Sequence, residues 1–288
     1  MNVSRLNEYL FAWLQYILPH HLLSLMMLAV TRWQNRLFLN QFTPWFIKQY
    51  KVDMSIAQNE DWKFYQSFNH FFTRAIKPQH RPICSADNIA SPVDACVSQA
   101  GKINDGLIIQ AKNFNYSMQT LLGNQSDYSA QFQNGNFSTL YLSPKDYHRI
   151  HMPIDGQLKE MIHVPGRLFS VNPATARTIP RLFARNERVV CLFDTELGPV
   201  AVVMIGAIFV ASIETVWQGV ITPPTRFGIR SWKYENQKIE FNRGVEIARF
   251  NMGSTVILIF GENKMSWNRD LVAEQNIIMG QSIGRLLH

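Results

Sequence analysis

Residues 249–260 are the part of this sequence that most constrains the fold. Arg249-Phe250 and Thr255–Phe260 lack a helical period and are rich in apolar and β-branched residues, which predicts two buried strands. Between them lies Gly253-Ser254, and a glycine within a strand pattern marks a bend or a close backbone approach. Two interpretations stay open. The pair is either a bend in a core strand or a hydroxyl beside a carbonyl that no Cβ shields.

The overall charge predicts an anionic partner. The 288-residue chain has a formal net charge of +7 and a hydrophobic fraction of 47%, so an anionic membrane surface or a nucleic acid would suit it. A nucleic acid is disfavoured, because the basic residues are dispersed and no nucleic-acid-binding motif accompanies them. Cys84, Cys96 and Cys191 fit neither a metal site nor a disulfide framework, which predicts buried thiols in a reducing compartment.

The apolar N-terminal run, residues 9–30, is interrupted. Pro19-His20-His21 divides it into two pieces, and each is too short for a spanning helix, which needs about 20 residues. Basic flanks and the tryptophans Trp13, Trp33 and Trp45 favour short helices that lie in a membrane interface. A helical hairpin packed on the core is the alternative.

A change of pattern near residue 80 divides the chain. Aromatic residues recur at steps of three and four from Trp62 to Phe72, which predicts one helix within residues 56–76 with an aromatic side facing the core. Two X-Pro pairs end it, and short strands separated by turn residues follow. We therefore predict an α+β fold, in which residues 1–80 form membrane-facing helices. Residues 81–288 form a mainly antiparallel, sandwich- or barrel-like β domain that carries the catalytic residues.

Three polar side chains of the predicted β domain are candidate catalytic residues. Asp94 lies in an apolar stretch where a carboxylate needs a partner, so it either belongs to a turn after Pro92 or orients a histidine. His148 and His151 lie three residues apart in a polar cluster. They are half of a metal site, structural histidines or general acid–base residues. The last is favoured, because imidazole titrates near neutral pH and no second pair of ligands stands at metal-binding spacing.

Seven separated motifs occur in the order that one enzyme family shows. They are Phe72-Thr73-Arg74, Ser91-Pro92-Val93-Asp94, YLSPKDYHRIHMP (residues 141–153), LFSVN (168–172), FARNE (183–187), Ile213-Glu214-Thr215-Val216 and Gly253-Ser254-Thr255. With these motifs the sequence resembles the bacterial, membrane-associated, pyruvoyl-dependent phosphatidylserine decarboxylase proenzymes over nearly its whole length. It departs from that pattern at Ala95, where glycine is usual, and at Met252, where leucine is common.

The resemblance implies that the chain cuts itself between Gly253 and Ser254. The Ser254 hydroxyl would attack the Gly253 carbonyl, with His151 as the base and Asp94 as the residue that orients it. Glycine at 253 would tolerate a strained backbone and leave its carbonyl open to attack. The products would be a β chain that ends at Gly253 and an α chain whose first residue, formerly Ser254, is a pyruvoyl group.

The resemblance also implies the reaction and the surroundings of the mature enzyme. The pyruvoyl group would form a Schiff base with phosphatidylserine and accept electrons as CO2 leaves, which gives phosphatidylethanolamine. His148 would position or protonate the intermediate, and neither a metal nor pyridoxal phosphate would take part. The enzyme would lie on the cytoplasmic side of the cell membrane as a peripheral protein, with its α and β chains associated and a homodimer left open.

Two other function classes compete with this one. A membrane-associated serine hydrolase would use Ser254, His151 and Asp94 on an external substrate, but no nucleophile-elbow glycine pattern surrounds Ser254. A catalytically inactive membrane-binding relative is disfavoured by the presence of all three residues.

Overall fold

The computed structural model describes residues 3–111, 114–124, 126–209, 212–223 and 228–287. Its helices are α1 Val3–Ile17, α2 His20–Arg32, α3 Arg36–Tyr50, α4 Phe68–Phe72, α5 Met118–Leu121, α6 Ser126–Gln131, α7 Pro173–Thr178 and α8 Leu182–Arg185, with 3-10 turns at Trp62–Phe64 and Pro78–His80. The longer helices all precede residue 51, which confirms the helical start of the chain.

The N-terminal helices are separate, as the sequence predicts. The chain leaves α1 at Leu18 and enters α2 after Pro19, which cannot donate a backbone hydrogen bond. In the described part of the chain no single helix is long and apolar enough to cross a membrane. The segments Asn7–Ile17 and His20–Arg32 reach that threshold only as a pair, which is bent by 87°. That these helices face a membrane stays a prediction.

The prediction of one aromatic helix within residues 56–76 is wrong. The segment contains a 3-10 turn, Trp62–Phe64, and the separate short helix α4. The reason is local capping, since Asp61 accepts a hydrogen bond from Lys63 N at 2.9 Å and Ser67 accepts one from His70 N at 3.1 Å. Each side chain starts a new helical segment. The predicted aromatic core is nevertheless present, and its buried members are Tyr65, Phe68, Phe71 and Phe72, with Leu39, Phe46 and Val52.

The rest of the described chain is mainly β-sheet. Its strands are β1 Asn88–Ala90, β2 Ala95–Lys102, β3 Leu107–Ala111, β4 Phe114–Ser117, β5 Asn136–Tyr141, β6 Arg149–His151, β7 Gly156–Val164, β8 Arg188–Thr195, β9 Gly198–Ile205, β10 Ile213–Thr215, β11 Gly219–Val220, β12 Arg230–Lys233, β13 Glu240–Phe241, β14 Glu246–Phe250, β15 Thr255–Phe260, β16 Met265–Trp267, β17 Asn276–Ile277 and β18 Ser282–Leu286. The described strand pairs are antiparallel, which confirms the α+β class with a mainly antiparallel sheet.

The largest sheet has the strand order β12-β7-β8-β9-β15-β5-β2-β17, with β13 also paired to β7. Strand β15 lies near its centre, between β9 and β5, and all six of its residues are buried. Strand β14 belongs to a different sheet, ordered β11-β10-β14-β6. The chain therefore passes from one sheet to another at residues 251–254, so the predicted bend is a crossing between sheets.

The N-terminal helix α1 packs on helix α7 and on the loop that precedes it, within the β-rich part of the chain. Gln15 of α1 accepts a hydrogen bond from Ser170 N at 2.7 Å, and Glu8 pairs with Arg177 at 2.6 Å. The predicted boundary between a domain of residues 1–80 and one of residues 81–288 stays a prediction.

The cysteines are free in the structure, and only Cys191 is fully buried. The prediction of buried thiols is wrong for Cys84 and Cys96, which are half-buried. Side chains alternate between the two faces of a strand, and Cys96 lies on the less covered face at the start of β2.

Candidate active site

The crossing between the sheets is fixed at both ends by backbone hydrogen bonds. Phe250 N donates to His148 O at 3.0 Å, and Leu142 N donates to Ser254 O at 2.8 Å. Ser254 is wholly buried, and its hydroxyl has no hydrogen-bond partner among the described residues. Other buried hydroxyls share this state, for example Ser138 and Thr255. The neighbours of Ser254 therefore decide its role.

Gly253 is half-buried and closely surrounded. An ideal Cβ at this position would lie 3.3 Å from His148 Nε2 and 3.4 Å from Leu142 O. Its φ lies outside the left-handed region. The structure therefore shows no left-handed strain at the residue where the sequence predicted a strained backbone. The glycine instead provides space, and its lack of a side chain lets His148 approach the peptide that precedes Ser254.

His148 is wholly buried, and its ring has one fixed proton. Nδ1 lies 2.8 Å from Asp146 O, which can only accept, so Nδ1 carries the hydrogen and Nε2 presents a lone pair. Nε2 has no partner among the described residues. Burial lowers the pKa of His148 from 6.5 to about 3, and the Phe72 ring lies 4.2 Å from the imidazole between centroids. At neutral pH this histidine is an uncharged base beside Gly253.

His151 has partners on both ring nitrogens. Nδ1 donates to Gly244 O at 2.8 Å, and the Tyr147 hydroxyl lies 3.1 Å from Nε2. Burial lowers the pKa of His151 below its ordinary value, more than the nearby carboxylates raise it. Like His148, it is neutral at pH 7 with its lone pair on Nε2.

Asp94 does not form the hydrogen bond to His151 that the sequence predicts. Its carboxylate is bound by Arg81, with Nε–Oδ1 at 2.8 Å and Nη2–Oδ2 at 2.5 Å, and Met279 N donates to Oδ1 at 2.8 Å. The geometric reason is that a guanidinium matches both carboxylate oxygens at once, whereas an imidazole matches one. Asp94 still acts on His151 through its charge, which opposes a small part of the lowering of the histidine's pKa by burial.

The sequence did not identify Arg81 and Tyr147 as members of this cluster. Arg81 was considered only as part of the Arg81-Pro82 pair that ends a helix and of the Arg81-Pro82-Ile83 piece of the family resemblance, and Tyr147 only as a neighbour of the histidines. The available signal for Arg81 was the burial of Asp94, because a buried carboxylate needs a cationic or N–H partner.

An apolar cavity of about 280 Å3 borders Gly253. Aromatic and aliphatic side chains from both parts of the molecule line it: Phe11, Phe46, Phe72, Tyr141, Val171, Phe209 and Met252. The residues Ser170-Val171-Asn172 of the LFSVN motif also lie on its wall. Within the described residues, no three histidine, cysteine or acidic side chains come together as metal ligands.

Comparison with known proteins identifies the family. A family model described as phosphatidylserine decarboxylase matches residues 68–285, and a second model, described as PSD, matches residues 10–51. The chain belongs to the phosphatidylserine decarboxylase family. It is therefore a carboxy-lyase, and the comparisons give no support to the serine hydrolase alternative.

Curated relatives cover nearly the whole chain. A phosphatidylserine decarboxylase proenzyme of Pseudomonas fluorescens (strain SBW25) is 49% identical over 282 residues, which cover 96% of this chain and 98% of the relative. That of Ectopseudomonas mendocina (strain ymp) is 50% identical, with 97% and 99% covered. That of Pseudomonas putida (strain GB-1) is 52% identical, with 93% and 94% covered.

Proposed function

We propose that this phosphatidylserine decarboxylase is made as a proenzyme that cuts itself between Gly253 and Ser254. The mature enzyme then converts phosphatidylserine to phosphatidylethanolamine. One observation carries the proposal: a wholly buried serine hydroxyl without a hydrogen-bond partner among the described residues follows a glycine that an uncharged histidine approaches closely. The proenzyme names of the relatives support it.

The first step is attack of Ser254 Oγ on the Gly253 carbonyl. The peptide bond becomes an ester as the nitrogen leaves and takes up a proton. Elimination then releases Gly253 as a carboxylate, and water replaces the nitrogen on residue 254 with oxygen, so that ammonia leaves. The new first residue carries a keto group in place of a serine.

A base must take the Ser254 proton, and the proposal keeps His151 with Asp94 in this role. His151 has the required state, because Gly244 fixes its Nδ1–H and its Nε2 lone pair faces a hydroxyl at 3.1 Å. In the described conformation that hydroxyl belongs to Tyr147. The proposal therefore requires Tyr147 to release Nε2 before Ser254 can use it.

The surroundings of Ser254 fit a pyruvoyl group better than an ordinary amino terminus. An ammonium at this wholly buried position would cost several kcal/mol unless it were paired, whereas a keto group carries no charge. When formed there, the pyruvoyl group supplies the electron sink that decarboxylation requires.

The residues around the cavity have separate roles in turnover. The apolar wall excludes water and leaves a substrate carboxylate poorly solvated, which favours its loss as uncharged CO2. His148 Nε2 lies beside the reacting residue, where it can hold a proton and return it to the substrate carbon. Phe72 covers this ring, so the imidazole is uncharged at rest and holds a second proton only during turnover.

The proposed site of action is the cytoplasmic face of the cell membrane, with the protein bound peripherally. Large apolar side chains on the N-terminal helices, and at the end of α2, are more than half exposed: Leu10, Trp13, Ile17, Leu22, Met26, Trp33, Leu37 and Trp45. A bilayer would cover them, and the net charge of +7 favours an anionic surface. Phe11 lines the cavity, so a lipid headgroup at this surface would lie close to the site.

The mass of the purified protein tests the proposal. We expect two chains, residues 1–253 and residues 254–288, and a mass increase of only the smaller chain after treatment with a carbonyl reagent. Ser254→Ala should remain one chain, whereas Ser138→Ala, which removes another buried hydroxyl without a described partner, should be cut normally. A single uncut wild-type polypeptide that decarboxylates phosphatidylserine would overturn the proposal.

A further inference from the structure

The short helix α4 contacts the chain just before the proposed cleavage point. Asn69 Nδ2 donates to the main-chain oxygen of Asn251 at 3.2 Å and to its side-chain Oδ1 at 3.0 Å. Asn251 is buried and lies two residues before Gly253. One amide of the helical region therefore binds this residue at two points.

Asn251 is also bound from its other side. Its N–H donates to Ser212 O at 2.9 Å, and its Nδ2 donates to the Ser212 hydroxyl. With Asn69 opposite, the main-chain N–H and C=O and both side-chain polar atoms of Asn251 are in hydrogen bonds. Its position and orientation are thus fixed from two elements that are distant in sequence.

The next residues continue this arrangement. Met252 packs on the aromatic cluster of the helical region that contains Phe46, Phe68 and Phe72, and Ser254 O is held by Leu142 N. The peptide between Gly253 and Ser254 therefore lies between two fixed points, Asn251 and the Ser254 carbonyl.

The histidine loop is bound to the same helical segment. Phe72 contacts the His148 ring, Thr73 O accepts from Arg149 Nε at 2.9 Å, and Arg74 Nη2 donates to Lys145 O at 3.2 Å. Residues 69–74 therefore contact both the segment to be cut and the loop that carries the histidines.

We infer that Asn69 is a positioning residue for self-cleavage, and that the cut depends on docking of α4 against the β domain. The inference rests on the proposed cleavage between Gly253 and Ser254. Asn69 touches no reacting atom and acts through Asn251. Intramolecular attack depends steeply on alignment, because a misplacement of about 1 Å can cost about 100-fold in rate. Cleavage would then follow assembly of the helical region, so that the reactive group forms only in a complete site.

Three substitutions at Asn69 test this role in the full-length chain. Asn69→Ala and Asn69→Leu remove both hydrogen bonds, and Leu keeps a similar volume. Each should slow self-cleavage at least about tenfold at pH 7.5. This corresponds to an increase of about 1.4 kcal/mol in the activation free energy, because the reacting groups are less well aligned. His70→Ala is the matched control, because His70 lies on the same helix but is exposed and does not touch Asn251.

Asn69→Asp provides a readout that a purely structural role would not change. Both partner atoms on Asn251 are acceptors, so an ionised carboxylate repels them, whereas a protonated carboxyl group can donate to one of them. The ratio of the Asn69→Asp rate to the wild-type rate should therefore rise as the pH falls from 8 to 5. A time course of chain masses measures both rates at each pH, and thermal unfolding of the uncut Ser254→Ala background shows whether each variant is folded.

The outcomes separate this inference from the function on which it rests. If the wild-type chain is never cut, the proposed function fails. If the wild type is cut and the Asn69 variants match it, only the positioning role fails. Slow cleavage with a pH-independent Asn69→Asp ratio would also overturn it, because a general loss of stability would then explain the result.

Discussion

Two histidines lie at opposite ends of the short strand β6, and their surroundings differ. His148, before the strand, has a lone pair without a partner among the described residues and lies beside Gly253. His151, at its end, has partners on both nitrogens. A buried polar atom without a partner costs about 1–3 kcal/mol. The position of His148 therefore lowers the stability of the folded chain, whereas the hydrogen bonds of His151 contribute to it.

This difference suggests a division of work. His148 lies beside Gly253, which lines the cavity, and its Nε2 can act without breaking a hydrogen bond to another described residue. The His151 site, with Tyr147, Asp94 and Arg81, must rearrange before its lone pair is free. A single rearrangement suits an event that occurs once per molecule, such as self-cleavage, and a free lone pair suits repeated turnover.

The largest expected effect is loss of self-cleavage at the His151 site. His151→Ala and Asp94→Asn should slow the cut at least about 100-fold, the usual contribution of a general base and its orienting charge. The chain masses over time measure it, with Asp194→Asn as an exposed control. Normal cleavage in both variants would place the base elsewhere, with His148 as the next candidate.

The next effect concerns turnover at the His148 site. His148→Gln should be cut within a few-fold of the wild-type rate but should decarboxylate phosphatidylserine about 100-fold more slowly, because proton return to the substrate carbon is lost. Release of CO2, expressed per pyruvoyl-bearing chain, measures it. If cleavage were lost and turnover per mature chain kept, the roles of the two histidines would be exchanged.

A third effect is the dependence of stability on pH. Between pH 6.5 and about 3 the unfolded chain protonates His148 while the folded chain does not. The free energy of unfolding should therefore decrease as the pH is lowered through this window. This residue contributes up to about 1.4 kcal/mol per pH unit. Denaturant unfolding of uncut Ser254→Ala protein measures the slope.

In the same background, His148→Gln should lessen this slope. His151→Gln should lessen it as well, because burial also lowers that pKa. Equal slopes in all three proteins would contradict the burial of neutral imidazoles at both sites.

The smallest effect distinguishes two arginine–carboxylate pairs. Arg81→Lys keeps the charge beside Asp94 but loses the second parallel hydrogen bond, so the free energy of unfolding should fall by about 1–2 kcal/mol. Arg177→Lys, at the half-exposed pair with Glu8, should change it by less than about 0.5 kcal/mol. Equal effects would show that burial does not strengthen the Arg81–Asp94 pair.

Local pattern predicted the strands at the site closely. β15 begins and ends where the apolar, β-branched residues do, at Thr255 and Phe260. β14 ends at Phe250 as predicted but begins at Glu246, three residues before the predicted Arg249. The same reasoning failed at residues 56–76, where Asp61 and Ser67 each start a separate short helical segment. The regular spacing of the aromatic residues was the stronger signal in the sequence, and it predicted one continuous helix. In the structure, helix capping by two single side chains divides that helix.

The pairing of polar groups was beyond sequence patterns. Asp94 was recognised as a carboxylate that needs a partner, but the choice between Arg81 and His151 depends on how β1, β18 and the loops fold around it. The contact between Asn69 and Asn251 joins residues 182 positions apart. Such contacts depend on tertiary packing, and single amides carry no periodic signal.

The central position of β15 determines what the proposed cut would leave behind. This strand is paired along all six residues with both β5 and β9, while β17 and β18 pair with β2 and β1. After the proposed cut, the fragment that begins at residue 254 would stay paired with four strands of the larger one, β5, β9, β2 and β1. The two pieces should co-elute in every non-denaturing separation. After denaturation and separation they should not reassociate readily, since the larger piece would lack the central strand of its main sheet and expose the apolar residues on either side of it. Maturation would then be a one-way event, and the molecule's folding would have to be finished before the cut.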